Sequence, residues 1–419
     1  MKTTLMRLAV SLALSAVSGA VWAGGFAIGT QTGAGTGNAF AGGAASAEDA
    51  SVAWTNPAAM SLLPAGKHVS AAGHLLRPSF KFQDRGSTIP GALGTGSGGD
   101  GGDWAMVPNA AFVMSLSNSV SFGFAVNAPF GLKTEYDNGW IGQRIALMSE
   151  IKAVNFNPSL SYKVSPTLSV GMGVSAQYFE AKLTNTSALG TANLKADDVG
   201  FGFNLGAMFQ ATPSTRIGLA YRSSIDYTLD GATSFSAVPA ANARATAKLR
   251  TPESASLSFV NAIDPKWEIM ADLTWTRWSR VQSIVPICQQ VSAVVCAGGA
   301  GTPVVGASLP THWKDTWRIG VGANYKHSDR WKLRMGLAYD PTPTNDAERT
   351  ARLPDQDRFW VALGAQYTLS RQGRLEFGYA HEFVRDARVN TEVFGTAFRQ
   401  IGHFEDKADI LTIAYSHAF

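Results

Sequence analysis

From about residue 67 to the end of the chain, apolar and polar residues alternate with period two in run after run. In the run from Arg216, Ile217, Leu219, Tyr221, Ile225, Tyr227 and Leu229 share one face, and Arg216, Gly218, Ala220, Arg222 and Asp226 share the other. In the run from Lys266, Trp267, Ile269, Leu273 and Trp275 oppose Glu268, Asp272 and Thr274. Trp317, Ile319, Val321 and Tyr325 oppose Arg318, Gly320, Gly322 and Asn324, and Trp331, Leu333, Met335, Leu337 and Tyr339 oppose Lys332, Arg334 and Asp340. The last run, Asp409 to Phe419, sets Leu411, Ile413, Tyr415, His417 and Phe419 against Thr412, Ala414, Ser416 and Ala418. Period-two alternation predicts strands. A full apolar row ending in aromatics, opposite small and charged residues, suits lipid outside and a wet lumen inside; a terminal aromatic strengthens that reading. An ordinary half-buried sandwich strand alternates too, but it does not usually carry aromatics at both ends of so many rows.

The alternation predicts strands near 67–82, 107–116, 119–128, 151–163, 167–182, 197–211, 214–230, 244–262, 265–281, 312–326, 331–341, 354–369, 373–388 and 403–419. Fourteen is an even number, as a single-chain bacterial barrel requires. Short turns such as Ser117-Asn118, Ser165-Pro166 and Gln372-Gly373 alternate with long connections near 83–106, 129–150, 183–196, 231–243, 282–311, 342–353 and 389–402. That is the pattern of short periplasmic turns and long outer loops. The fold class expected is therefore all-β: a 14-stranded antiparallel transmembrane β-barrel over 67–419.

Two stretches stand outside the alternation. Residues 1–23 read as a secretory signal peptide, with basic Lys2 and Arg7, an apolar run from Leu8 to Val17, and Val21-Trp22-Ala23 before a cut. That run is too short to span a bilayer. Residues 24–66 are rich in Gly, Ala, Ser and Thr and hold no strand period, which fits either a disordered leader or a compact plug inside the lumen. The segment ends near Asn56-Pro57-Ala58, where Pro57 keeps Asn56 out of the helical region and favours a turn.

Composition changes the picture in three places. Charged residues make up only 16% of the chain, against roughly a quarter in soluble domains. Eleven Trp, ten Tyr and 22 Phe are enough for two interfacial aromatic girdles. The formal net charge of +4 gives no case for nucleic acid. Mean hydropathy is +0.00, which says nothing against a barrel, because alternation hides the membrane face from any average. The two cysteines, Cys288 and Cys296, sit close together behind an export signal, so a local disulfide is expected rather than a metal site. No cofactor is expected.

At this point the residues resemble the FadL/TodX family of outer-membrane transporters of long-chain fatty acids and other hydrophobic compounds. The stretch GGFAIGTQTGAGTGNAFAGGAASAEDASVAWTNPAAM looks like that family's N-terminal hatch, including its Asn-Pro-Ala motif at Asn56, Pro57 and Ala58. YRSSIDYTLDG, DPKWEIMADLTWTRWS, WKDTWRIGVGANY, WKLRMGLAYDPTP and PDQDRFWVALGAQY resemble family strands in the same order. The match is strong over 24–66 and from about residue 214 onward, and weak over 80–200. It implies a plugged fourteen-strand barrel in the bacterial outer membrane, expected to be monomeric, surrounded by outer-membrane lipid and inserted by the barrel assembly machinery.

The resemblance also implies a route. A hydrophobic molecule is captured among outer loops, held in a lumen pocket against the hatch, and released sideways through a gap at an inward kink of the third strand. A water-filled pore would not serve, because an apolar chain gains nothing by entering water. On this chain the kink points to Gly123, where the strand is expected to bend, and Pro129, which has no N–H for a ladder; Pro129 also reads as a simple strand end. Phe26, the first large side chain after the signal, is expected against the ligand. A fatty acid needs a cation for its carboxylate, and Lys314 in the WKDTW stretch and Arg144 in the second outer loop are the candidates; each also reads as an ordinary solvated charge. Arg216, Arg222, Arg318, Arg334 and Arg358, balanced by Asp226, Asp272 and Asp340, read as lumen charges for packing and solubility.

Three rivals remain in view. Uptake of aromatic hydrocarbons, as in the TodX-like branch, needs no head-group cation. A general diffusion porin would lack the hatch. An outer-membrane lipase needs a serine with a histidine base; His312, His381 and His403 are present, but no serine motif stands out, so no catalytic residue is assigned.

Overall fold

The computed structural model describes residues 24–89, 94–292, 294–392 and 397–419. The signal peptide expected over 1–23 lies outside them. The alternating part closes into one antiparallel barrel of fourteen strands. They are β1 (Lys67–Asp84), β2 (Ala105–Ser115), β3 (Val120–Asn127, continued as Gly131–Glu135), β4 (Met148–Lys163), β5 (Leu168–Ser187), β6 (Gly190–Thr212) and β7 (Thr215–Arg222 and Asp226–Phe235). Then come β8 (Ala243–Arg250 and Ser254–Ala262), β9 (Trp267–Thr276), β10 (Thr316–Lys326), β11 (Trp331–Asp340), β12 (Arg358–Thr368), β13 (Gly373–Val384, with Ala387–Glu392) and β14 (Arg399–Ala418). The seam is a long ladder between β1 and β14, from His68↔Ala418 to Asp84↔Gly402, so no free edge is left.

The alternation sorts as lipid and lumen require. Leu219, Ile319, Val321, Leu363 and Ile413 are exposed on the outside, while Asn155, Asn157, Ser159, Ser161 and Thr412 are buried inside. Trp267 pairs with Tyr325 at the short-turn rim (ring centroids 4.7 Å apart), and Trp275 lies across from Trp317 at the other rim. Eight residues separate the two rims on β9, roughly 26 Å along a strand, which matches the apolar thickness of a barrel before tilt.

Several boundaries differ from the sequence expectation. The connection expected over 183–196 is largely strand, because β5 and β6 stay paired to Ser187↔Gly190, and the one expected over 231–243 is shortened, because β7 runs on to Phe235. Beyond the bilayer a strand needs no apolar row on its outside, so its sequence looks like a loop. Conversely, β9 stops at Thr276 rather than near 281, and β10 and β12 begin at Thr316 and Arg358 rather than near 312 and 354. There Trp278 and Trp313 turn inward and are buried.

The largest departure is a change of face. Ile225, Tyr227 and Leu229, expected outward with Ile217 and Leu219, are buried inside the barrel, and Asp226, expected in the lumen, is exposed and paired with Arg250. The cause is one extra residue. Arg222 faces Asn204 of β6, but eight residues on, Asp230 faces Asp197, only seven residues back. A one-residue slip turns every later side chain to the other face. β8 breaks at the same height and turns with β7, so that Ala243, Ala245, Ala247 and Leu249 point inward. β3 does the same: Asn127 faces Asn155 and Gly131 faces Lys152, an advance of four against three, and Leu132 and Thr134 become buried. The barrel therefore wears its apolar residues outside within the membrane and inside above it.

Candidate functional site

Above the slips, the inward apolar residues pack into one buried cluster. It includes Phe80, Phe82, Leu132, Phe179, Tyr227, Leu249, Trp278 and Trp313. Phe26 stands at its floor. Its ring lies 5.5 Å from Phe130, 6.2 Å from Phe179, 5.1 Å from Trp278 and 5.6 Å from Trp313, mostly edge to face. The chain just before it is held by a hydrogen bond from the Gly25 N–H to Asp355 Oδ2 at 2.8 Å.

The rest of residues 24–66 lies against the small and polar inner face below. Short helices over Gly33–Gly37 and Val52–Thr55 and 3-10 turns over Gly43–Ala45 and Pro57–Leu62 carry it. Glycines on the wall make the fit possible. A Cβ at Gly206 would meet Asn56 Oδ1, one at Gly171 would meet the Pro57–Ala58 backbone, and one at Gly218 would meet Ala44 O. Asn56 is fully buried. Its amide donates to Ala44 O at 2.7 Å and to Ala207 O of β6 at 3.0 Å, and its oxygen accepts from Ala58 N at 3.1 Å. Ser169 of β5 donates to Ala58 O.

The wall arginines also face this segment. Arg222 donates to Trp54 O at 2.8 Å and lies over the Trp54 ring at 3.3 Å from its centroid. Arg216 donates to Ala45 O, Arg318 to Ala39 O and Arg374 to Glu48 O. Arg334 bridges Glu48 and Glu376. Arg358 instead pairs with Asp355 and Glu382 above the segment. A cavity of about 320 Å³ remains between segment and wall, bordered by Ala27, Ile28, Phe130 and Trp278.

The break in β3 lies beside Phe26. Ile28 donates to Pro129 O at 2.9 Å, Gly131 donates to Phe26 O at 2.9 Å, and the Gln31 side chain donates to Ala128 O at 2.9 Å. Three residues of the wall thus pair with the N-terminal segment instead of with β2. The β2–β3 ladder stops at Ala110↔Val126. A recess of about 560 Å³ opens there towards the lipid side, lined by Ala72, Pro108, Asn109, Asn127, Ala128 and Ile413. Gly123 is not at the break. Its ladder is regular on both sides, and its missing side chain makes room for Met60 and Ala53.

At the outer rim the described residues 282–292 and 294–311 fold over the barrel. Cys288 and Cys296 are joined by a disulfide, and Pro286–Cys288 pairs with the outer half of β8. Beneath it runs an apolar groove of about 470 Å³ lined by Leu183, Leu189, Leu194, Phe235, Val295 and Val304, with Arg144 and Arg352 at its side. Lys314 is elsewhere. It is exposed, borders none of these cavities, and its backbone N–H donates to Pro343 O. Trp313 and Thr316 are the buried residues of the WKDTW stretch. Sequence reasoning missed Trp278, Trp313, Asp355 and Arg352; the two tryptophans were visible as aromatics flanking an uncharged connection, and the other two carried no local signal.

A family model for the outer membrane protein transport proteins (OMPP1/FadL/TodX) matches residues 14–419. The chain belongs to the FadL/TodX family. It is 26% identical to the long-chain fatty acid transport protein of Escherichia coli K12, over 93% of this chain and 94% of that protein. It is 29% identical to outer membrane protein P1 of Haemophilus influenzae, over 89% and 88%. A crystal structure of a Pseudomonas aeruginosa FadL homologue matches with TM-score 0.84 at 27% identity, covering 94% of this chain and all of that one. The toluene transporter TodX of P. putida shares the fold, with TM-score 0.68 at 17% identity over 92% and 98%. This FadL/TodX member is thus an outer-membrane β-barrel of a transport family, not of an enzyme family.

Proposed function

We propose that the protein carries long-chain fatty acids or similar hydrophobic molecules passively across the outer membrane. The groove beside Arg144 captures the molecule, the compartment around Phe26 holds it, residues 24–66 act as the hatch that closes the lumen below, and the gap at Pro129 releases it sideways into the bilayer. The observation that carries this reading is the meeting of an apolar compartment with an interrupted wall at Phe26. Below that point the lumen is polar and filled by the N-terminal segment, pinned by Asn56, Pro57 and Ala58 and by five wall arginines, so a straight path would need many buried hydrogen bonds to break at about 1–3 kcal/mol each. A sideways path needs only the contacts of Phe26, Ile28 and Gln31 to shift. The named activity of the E. coli relative and the fit to the FadL homologue favour a fatty acid as cargo. The aromatic walls around Phe26 would also receive a hydrocarbon ring.

Cells lacking their own outer-membrane fatty acid route test this. Expression of the protein should restore uptake of labelled hexadecanoic acid, while purified protein in planar bilayers stays closed to ions. Uptake of toluene without hexadecanoic acid would transfer the protein to the hydrocarbon branch. A large steady ion conductance would make it a diffusion pore.

A further inference from the structure

We propose that Arg352 makes the outer groove selective for an anionic head group, so that capture itself distinguishes a fatty acid from a neutral chain of the same length. This rests on the groove being the capture site. Arg352 lies in the connection between β11 and β12 and is 7% exposed. Its guanidinium donates to Ser149 Oγ at 3.2 Å, Thr184 O at 3.4 Å and Asn185 Oδ1 at 3.3 Å, all uncharged oxygens. Its Nε–H is buried and meets no acceptor. No carboxylate lies within ion-pair distance of it among the described residues. The other buried arginines of the barrel differ in this. Arg334 has Glu48 and Glu376, Arg358 has Asp355 and Glu382, and Arg349 has Asp346.

A buried guanidinium without an anion is held at a disadvantage. Burial alone pushes Arg352 down to about 10. A carboxylate brought to it would relieve that disadvantage and would use the planar donor fork that guanidinium offers to two oxygens. The groove supplies the other half of an amphiphile. Leu183, Leu194, Val295, Val304 and Phe398 line it, and Arg144 borders the same space as a second cation. Its volume of about 470 Å³ lies within the range of sites that enclose small molecules. The combination describes a single apolar chain ending in a carboxylate.

The rival role is a brace, in which Arg352 merely ties β4 to the end of β5. Photo-crosslinking separates the two. Diazirine-bearing hexadecanoic acid and hexadecanol are titrated onto the membrane-embedded protein, and labelled peptides from 183–194 and 294–309 are quantified. In wild-type protein the acid should half-saturate the groove at roughly tenfold lower concentration than the alcohol, the worth of one charge-assisted contact. Arg352→Gln should bring the acid to the alcohol's value and leave the alcohol unchanged, and Arg352→Lys should keep part of the preference. Equal weakening of acid and alcohol in Arg352→Gln would establish the brace and overturn the proposal. So would a wild-type protein labelled equally by both. If neither probe labels the groove in wild-type protein, while both label peptides around Phe26, the capture reading itself falls and the proposal with it.

Discussion

At the scale of single residues, the site is built by side chains that close off polarity at one height and expose apolar surface at the next. Asn56 satisfies two carbonyls, and one of them belongs to the wall. Asn56→Ala leaves both without that donor, at about 1–3 kcal/mol each. The expected result is a loosened hatch, read as ion conductance in planar bilayers where wild type is silent, with normal barrel assembly. A silent Asn56→Ala channel would reduce the motif to local structure. Trp313 and Lys314 make a second contrast. Trp313→Ala removes a wall of the Phe26 cage and should weaken binding of fatty acid and alcohol alike, roughly tenfold, whereas Lys314→Met should leave both unchanged in an equilibrium binding titration. The sequence showed that a cation stood in this stretch. It could not show that Trp313 turns inward: the alternation puts it on the outer face with Trp317, and the strand there begins only at Thr316. The places of Asn56 and Phe26 were legible, since a motif and a position just after the expected signal singled them out; Arg352 was not, because nothing local marks a guanidinium that has no carboxylate beside it.

At the scale of elements, the alternation exposed each strand within the membrane and failed above it. The reason lies in β3, β7 and β8. One extra residue reverses the face, and a period-two reading carried through the break assigns Ile225, Tyr227 and Leu229 to lipid when they line the compartment. Such slips leave a small trace: Ser223-Ser224 and Ala128-Pro129 interrupt the apolar rows. The same elements carry the fit of the N-terminal segment. Gly206 lies on β6 where any side chain would strike Asn56. Gly206→Val should push the Asn-Pro-Ala turn off its seat and give the same conductance as Asn56→Ala, and the double variant should add little, because both act on one contact.

At the scale of the whole molecule, closure comes from the two ends of the barrel domain. β1 and β14 pair along their length, and the Phe419 N–H donates to Lys67 O at 2.8 Å. Deleting Phe419 should lower the amount of heat-modifiable barrel in the outer membrane; undiminished amounts would assign the residue no part in assembly. The gap in the wall decides the route. Around the gap β3 holds one residue more than β4 needs, so deleting Pro129 alone brings 120–134 into one register with β4 and keeps Leu132 inward. The ladder could then continue onto the unpaired part of β2. The decisive measurement is uptake of labelled hexadecanoic acid by cells that carry the Pro129 deletion as their only route, at surface abundance equal to wild type. Capture in the groove should persist and uptake should be lost. Uptake at the wild-type rate through a continuous wall would contradict the sideways route.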